Sequence, residues 1–156
     1  MPEKKLATSQ EIFREKILRK QEERKKRMEQ LEKIGIWGTL FIVGTLKFTL
    51  AFSISLLLTP AFWTVAKDQD KVAAGTLVFM TGLVLSWILE YIPVNLKLNK
   101  STLRFFHMLP VTIGYTLGAW DAMRLLQTDA MSITCITSIA FLASVVAWYT
   151  SKTIGD

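Results

Sequence analysis

Lys47 and Glu90 have the clearest chemical potential in this sequence, because each stands inside a long apolar run. An ionisable group in such a run is costly, and it marks either a structural pairing or a functional site. On helical spacing Lys47 lies about 15 Å beyond Trp37, and Glu90 lies about 7–8 Å short of Asn95. A lysine stem can run several ångströms along apolar surface before its charge emerges. The two charges can therefore meet if the first two apolar runs pack as an antiparallel hairpin. One chemistry open to such a pair is a proton or ion relay. The simpler role is to fix helix register, since pairing lowers the cost of burial without any transport.

Other candidate residues are weaker. Asp121 and Arg124 are three apart, so on a helix they share a face. With Lys67, Lys71 and Asp129 they form a polar cluster at one end of the apolar runs. His107 is the only histidine and Cys135 the only cysteine, so neither metal-ligand spacing nor a disulfide framework is available. A lone histidine at the end of an apolar run reads as a hydrogen-bonded packing residue. There is no phosphate-binding glycine loop, no CxxC, no HExxH and no dinucleotide fingerprint. No serine or threonine has an evident histidine base and acid partner. The sequence thus points away from an enzyme and implies no cofactor or metal.

Composition sets the elements that must carry these residues. The chain has 156 residues, 51% hydrophobic and 21% charged, with mean hydropathy +0.32. Those charges are segregated: residues 1–33 hold 11 of the 19 Lys and Arg and 7 of the 13 Asp and Glu. What remains is too poor in charge for an ordinary soluble domain, where about a quarter of positions are charged. The formal charge of +6 comes mostly from the first 33 residues. Without an aromatic–basic strand pattern or zinc spacing, it does not imply nucleic-acid binding. A secretory signal peptide is excluded because the first apolar run starts only at Ile34 and is too long; a mitochondrial transit peptide is poor in acids, unlike this segment.

Four runs are long enough to cross a bilayer, which takes about 20 helical residues. They span approximately residues 34–58, 72–95, 105–126 and 131–150. Pro60 is expected to end the first, because the residue before a proline is pushed out of the α region. Pro93 is expected to end or kink the second, and Pro110 to bend the third. The expected fold is therefore all-α: a four-span transmembrane bundle (34–156) preceded by a long charged helix (1–33). Counting Lys and Arg on alternate sides gives fifteen against three. By the positive-inside rule this puts both ends and the basic loop of Lys97, Lys100 and Arg104 in the cytoplasm. Trp37, Trp63, Trp87, Trp120 and Trp148 all fall in the outer thirds of their runs, the depth indoles favour.

Gly114 and Gly118 form a GxxxG in the third run, a spacing that lets helix backbones approach closely. Ala140 with Ser144, and Ala143 with Ala147, offer a facing small-residue stripe on the fourth. In the charged segment, Thr8 with Glu11 fits a capping box. Glu15 with Arg19 and Glu22 with Lys26 have the favoured Glu-before-base spacing of four. Ile12, Phe13, Ile17 and Leu18 make an apolar patch that a partner could cover, while between Arg19 and Arg27 the helix is polar all round. Basic residues there can also contact anionic lipid, weakened by the interspersed glutamates.

These readings lead to a small multi-pass membrane protein, in a bacterial plasma membrane or an equivalent organelle membrane. Its expected role is a non-catalytic accessory or assembly subunit of a larger membrane complex, docked through the N-terminal helix. The alternative is a small oligomeric channel or transporter for ions, protons or a solute, using Lys47 and Glu90.

Overall fold

The computed structural model describes the backbone of residues 3–66, 71–90 and 100–154, and the side chains of 13–66, 71–90 and 103–151. Four α-helices follow one another: α1 (Glu3–Ala66), α2 (Lys71–Glu90), α3 (Lys100–Leu125) and α4 (Ala130–Ile154). No strand occurs among the described residues. The chain forms two compact units, Met1–Thr39 and Leu40–Asp156. Three helical segments are long and apolar enough to cross a membrane: Phe13–Ala66, Lys71–Glu90 and Ala130–Ser151. α3 carries Arg104, His107, Asp121 and Arg124, which lower its mean hydropathy.

Several boundaries differ from expectation. α1 begins at Glu3, so Thr8 lies inside the helix rather than capping it. Nor does Pro60 stop α1, which continues to Ala66. Proline removes one backbone donor and crowds the preceding turn. The residues beyond it gain enough burial to hold the helix: Phe62 and Trp63 pack on the core, and Ala66 is buried. Thr64 Oγ1 donates to the Pro60 and Ala61 carbonyls, both at 3.0 Å. α2 ends at Glu90, and residues 91–95, including Pro93, lie outside the described residues. α3 starts at Lys100, so Arg104 belongs to a helix and not to a loop. Pro110 is accommodated inside α3, opposite Gly44, where an added Cβ would lie 3.4 Å from its ring.

The turn between α3 and α4 is closed at both sides. Gln127 adopts a left-handed backbone (φ 52°). Its N–H donates to Arg124, and the N–H of Thr128 donates to Met123. This is the two-bond pattern that satisfies the last carbonyls of a helix. Asp129 then caps α4: its Oδ2 accepts from the Ser132 N–H at 3.0 Å and its Oδ1 from the Ser132 hydroxyl at 2.7 Å.

Within the second unit the core is built from small and medium residues: Ala51, Val78, Leu85, Val111, Ala119 and Ala140 are all buried. Among the described residues the largest wholly buried side chain is Tyr115. Its hydroxyl donates to the Val78 carbonyl of α2 at 2.7 Å, while its own carbonyl accepts from Ser55 Oγ of α1 at 2.8 Å. Tyr115 thus joins three helices through two hydrogen bonds.

The GxxxG of α3 faces α1, not α4 as its pairing with Ala140 and Ser144 had suggested. A Cβ on Gly114 would sit 2.6 Å from the Phe48 carbonyl oxygen, and one on Gly118 would sit 2.5 Å from that of Phe52. The small residues of α4 serve other contacts. Ala143 meets Gly82 of α2, and Ser144 is buried with its hydroxyl donating to its own helix at Ala140. The sequence shows two small-residue stripes but not which neighbour each meets.

The outward faces are apolar. Phe41, Ile42, Leu57, Met80, Ile88 and Phe141 are all exposed. Exposed threonines satisfy their hydroxyls within their own helix: Thr45 on Phe41, Thr49 on Thr45, Thr76 on Val72 and Thr134 on Ala130. Such a surface needs no water to complete its hydrogen bonds, the condition for facing hydrocarbon.

Gly114→Ala and Gly118→Ala test the α1–α3 approach. Each places a methyl group against backbone that has no rotamer to yield, and overpacking of this kind costs about 1–3 kcal/mol. Thermal unfolding in detergent should show both variants destabilised. Gly35→Ala, at a site with no heavy atom near its added Cβ, should not be.

Candidate functional site

One group of charged and polar residues of the second unit draws on α1, α2, α3 and α4 together. Lys47 comes from α1 and is 0% exposed. Its Nζ lies 2.7 Å from Nδ1 of His107 on α3. With Lys47 as an ammonium, which can only donate, Nδ1 takes the unprotonated, accepting role. A neutral His107 then carries its proton on Nε2. Glu90, near the end of α2, is close enough to attract the Lys47 charge. Its Oε1 also lies 3.9 Å from the guanidinium Nε of Arg104. Arg104 in turn donates from Nη2 to the Ser151 carbonyl of α4 at 3.3 Å. One helical turn from Glu90, the Trp87 indole N–H donates to Thr150 Oγ1 at 3.2 Å.

The arrangement departs from the expected Lys47–Glu90 pair in a specific way. Both residues belong to the cluster, but the hydrogen-bond acceptor for Lys47 is His107. Glu90 pairs instead with Arg104, at 3.9 Å. Arg104, read from sequence as part of a cytoplasmic basic loop with Lys97 and Lys100, is thus a site residue. Lys97 lies outside the described residues. Lys100 opens α3, with its side chain outside those described. One signal could have found the grouping: Arg104 and His107 are three apart and share a helix face, and the loop before them is short enough to bring that face back to Glu90.

What this cluster can do is hold α1, α2, α3 and α4 in one register. The buried ammonium is matched by an imidazole acceptor and a nearby carboxylate. The second cation reaches toward solvent, as Arg104 and Glu90 are partly exposed. The hydroxyls of Ser55 and Tyr115 donate to backbone carbonyls, so neither is poised as a nucleophile. Among the described residues, no three His, Cys, Asp or Glu side chains come together as a metal site.

The expected outer polar cluster is spread over aromatic partners. The Arg124 guanidinium lies 4.8 Å from the Trp120 ring centre, and Lys71 Nζ lies 5.9 Å from that of Trp63. The Ser132 hydroxyl and N–H hold the Asp129 carboxyl below its ordinary range, with a smaller contribution from Lys71. Lys67 lies outside the described residues.

The first unit is a separate candidate. From residue 13 to Gly35 every side chain is exposed, including Phe13, Ile17, Leu18, Met28 and Leu31. Ile12 belongs to the same helix, but its side chain is outside those described. No family model, no curated protein and no solved structure matches this sequence.

A mutant cycle separates the partners of Lys47. His107→Leu removes the acceptor from a buried ammonium, a kind of loss that costs about 3–5 kcal/mol in soluble proteins, lessened here by Glu90. Lys47→Met leaves a neutral imidazole and should cost less. The double variant Lys47→Met with His107→Leu should be more stable than His107→Leu alone, with a coupling of about 1–3 kcal/mol. The corresponding Lys47–Glu90 coupling should be smaller. Unfolding midpoints of the single and double variants in one detergent measure both.

Proposed function

We propose that this chain is a multi-pass membrane protein acting as a non-catalytic accessory or assembly subunit, with its N-terminal helical segment as the docking element. The observation that carries this reading is the exposure of residues 13–35 on every side. A helix that is polar through its middle and surrounded by solvent gains no stability from burial, and its Glu-before-base spacings of four are worth only a few tenths of a kcal/mol each where they pair. Its exposed apolar residues lie at the two ends, Phe13 to Leu18 and Met28 to Leu31. Apolar anchors at helical spacing are what a partner groove recognises.

The bundle supports a structural role in the same way. Buried hydrogen bonds of Lys47, Ser55 and Tyr115 tie helix to helix, and its outward apolar faces and back-bonded threonines suit a lipid surround. We read α3 as a fourth crossing. Its Arg104 and His107 point into contacts with other helices, so its outward face is more apolar than its average. Four crossings put both ends of this chain on one side, which the Lys and Arg distribution assigns to the cytoplasm.

A transport role is the competing reading. It draws on Lys47, His107 and Glu90 as neighbouring titratable groups, with Arg104 beside them. It requires that the cluster change protonation during a cycle, whereas a register-fixing cluster does not.

Removal of residues 2–27 decides between them. The truncated protein should still insert, since its apolar runs are intact, and should lose heterologous partners that co-purify with the full chain in mild detergent. A truncated protein that keeps those partners contradicts the docking role. Purification of the full chain free of other proteins, with proton or ion flux abolished by Glu90→Gln, would favour transport.

A further inference from the structure

A groove of about 560 Å³ lies between the first turns of α2 and α4, with Trp63 of α1 on its wall. We propose that it binds one acyl chain of a zwitterionic phospholipid, whose phosphate meets Lys71 and whose primary ammonium meets Asp129. The proposal rests on the membrane reading of the chain and not on the docking role of its N-terminal helix.

The groove follows from how α2 and α4 pack. They run in the same direction: Gly75 meets Ile139, Gly82 meets Ala143, and Trp87 reaches Thr150. Lys71 opens α2 and Asp129 immediately precedes α4, so both charges lie at the same end. Below them the lining is apolar, with Val72 and Phe79 from α2 and Met131 and Ile136 from α4. Gly75 lets Ile139 of α4 pack directly on α2, since a Cβ there would come 2.8 Å from Ile139 Cδ1, and this contact forms the floor of the groove. From Lys71 to Phe79 the groove descends roughly 12 Å along the helix axis.

Three observations identify the occupant. The volume falls within the range of about 300–1,000 Å³ typical of small-molecule sites, whereas a helix about 10 Å across needs an open face. Val72 and Met131 at the rim are exposed, so the groove opens to the surroundings, which on the membrane reading are lipid chains. Among the described residues the mouth carries one cation, Lys71, and one anion, Asp129, and a headgroup with one of each complements both. Lys71 donates three hydrogen bonds. The Asp129 oxygens each hold one bond from Ser132 and keep lone pairs for an ammonium donor. An anionic headgroup would satisfy Lys71 and face Asp129 with like charge.

Cys135 lines this groove, is exposed, and is the sole cysteine, so the wild-type chain reports occupancy directly. The experiment follows maleimide alkylation of Cys135 in mild detergent with added phosphatidylethanolamine or phosphatidylglycerol of identical chains. Phosphatidylethanolamine at about ten times its dissociation constant leaves roughly a tenth of sites free, so alkylation should slow roughly tenfold. Phosphatidylglycerol at that concentration should protect less. Asp129→Asn keeps a good helix cap and should bring the two lipids to equal protection. No protection by phosphatidylethanolamine overturns the proposal, as does equal protection of the wild-type chain by both lipids. Protection that follows protein concentration instead of lipid also overturns it, because the groove would then be covered by a second copy. Alkaline carbonate extraction of the source membranes tests the underlying reading separately. An extracted chain removes the membrane assignment, while a retained chain with unprotected Cys135 removes only the lipid site.

Discussion

A lysine ammonium held wholly inside a helix bundle must find its acceptors there, because no water reaches it. Lys47 imposes that constraint on this fold. Its partner His107 comes from α3, and the carboxylate that offsets its charge comes from α2. The three helices must therefore approach one another at a single level. Arg104 extends the network from Glu90 to the last turns of α4. Removing an acceptor from such a network leaves a buried charge, and the cost of that charge is what gives the arrangement its specificity.

Close approach of backbones is the second requirement, and small residues meet it. Lys47 can reach His107 because Gly114 and Gly118 allow α3 to lie directly on the backbone of α1 at Phe48 and Phe52. Ser55 and Tyr115 then hydrogen-bond across the same contact. The outside of the bundle obeys the opposite rule, with apolar side chains and threonines closed on their own carbonyls. Small and polar inside, apolar outside, is the inverse of a soluble core and the pattern expected where lipid replaces water.

The helical class and the long apolar runs were legible in the sequence because apolar length and charge segregation are local properties. Boundaries were less so. Pro60 carries a strong local stop signal, yet burial of Phe62, Trp63 and Ala66 overrides it, and that burial depends on neighbours the sequence does not name. Both charged ends of the site were visible as Lys47 and Glu90. Their actual partners were not, because His107 and Arg104 gain meaning only when α3 begins at Lys100 and turns one face toward α1 and α2. The GxxxG was legible as a packing motif, but its partner helix was not, since glycine spacing carries no information about what lies opposite. The apolar patch from Phe13 to Leu18 was legible as a surface feature for the same reason that the runs were: helical periodicity is read directly from residue order.

The central claim is that His107 is a neutral acceptor for the Lys47 ammonium. Nitrogen NMR of the protein labelled in histidine, in detergent at neutral pH, tests it most directly, because the two ring nitrogens of the only histidine report protonation separately. An unprotonated Nδ1 and a protonated Nε2 are expected, with the Nδ1 signal shifting on Lys47→Met. A protonated Nδ1, whether in the other tautomer or in the imidazolium, would contradict it.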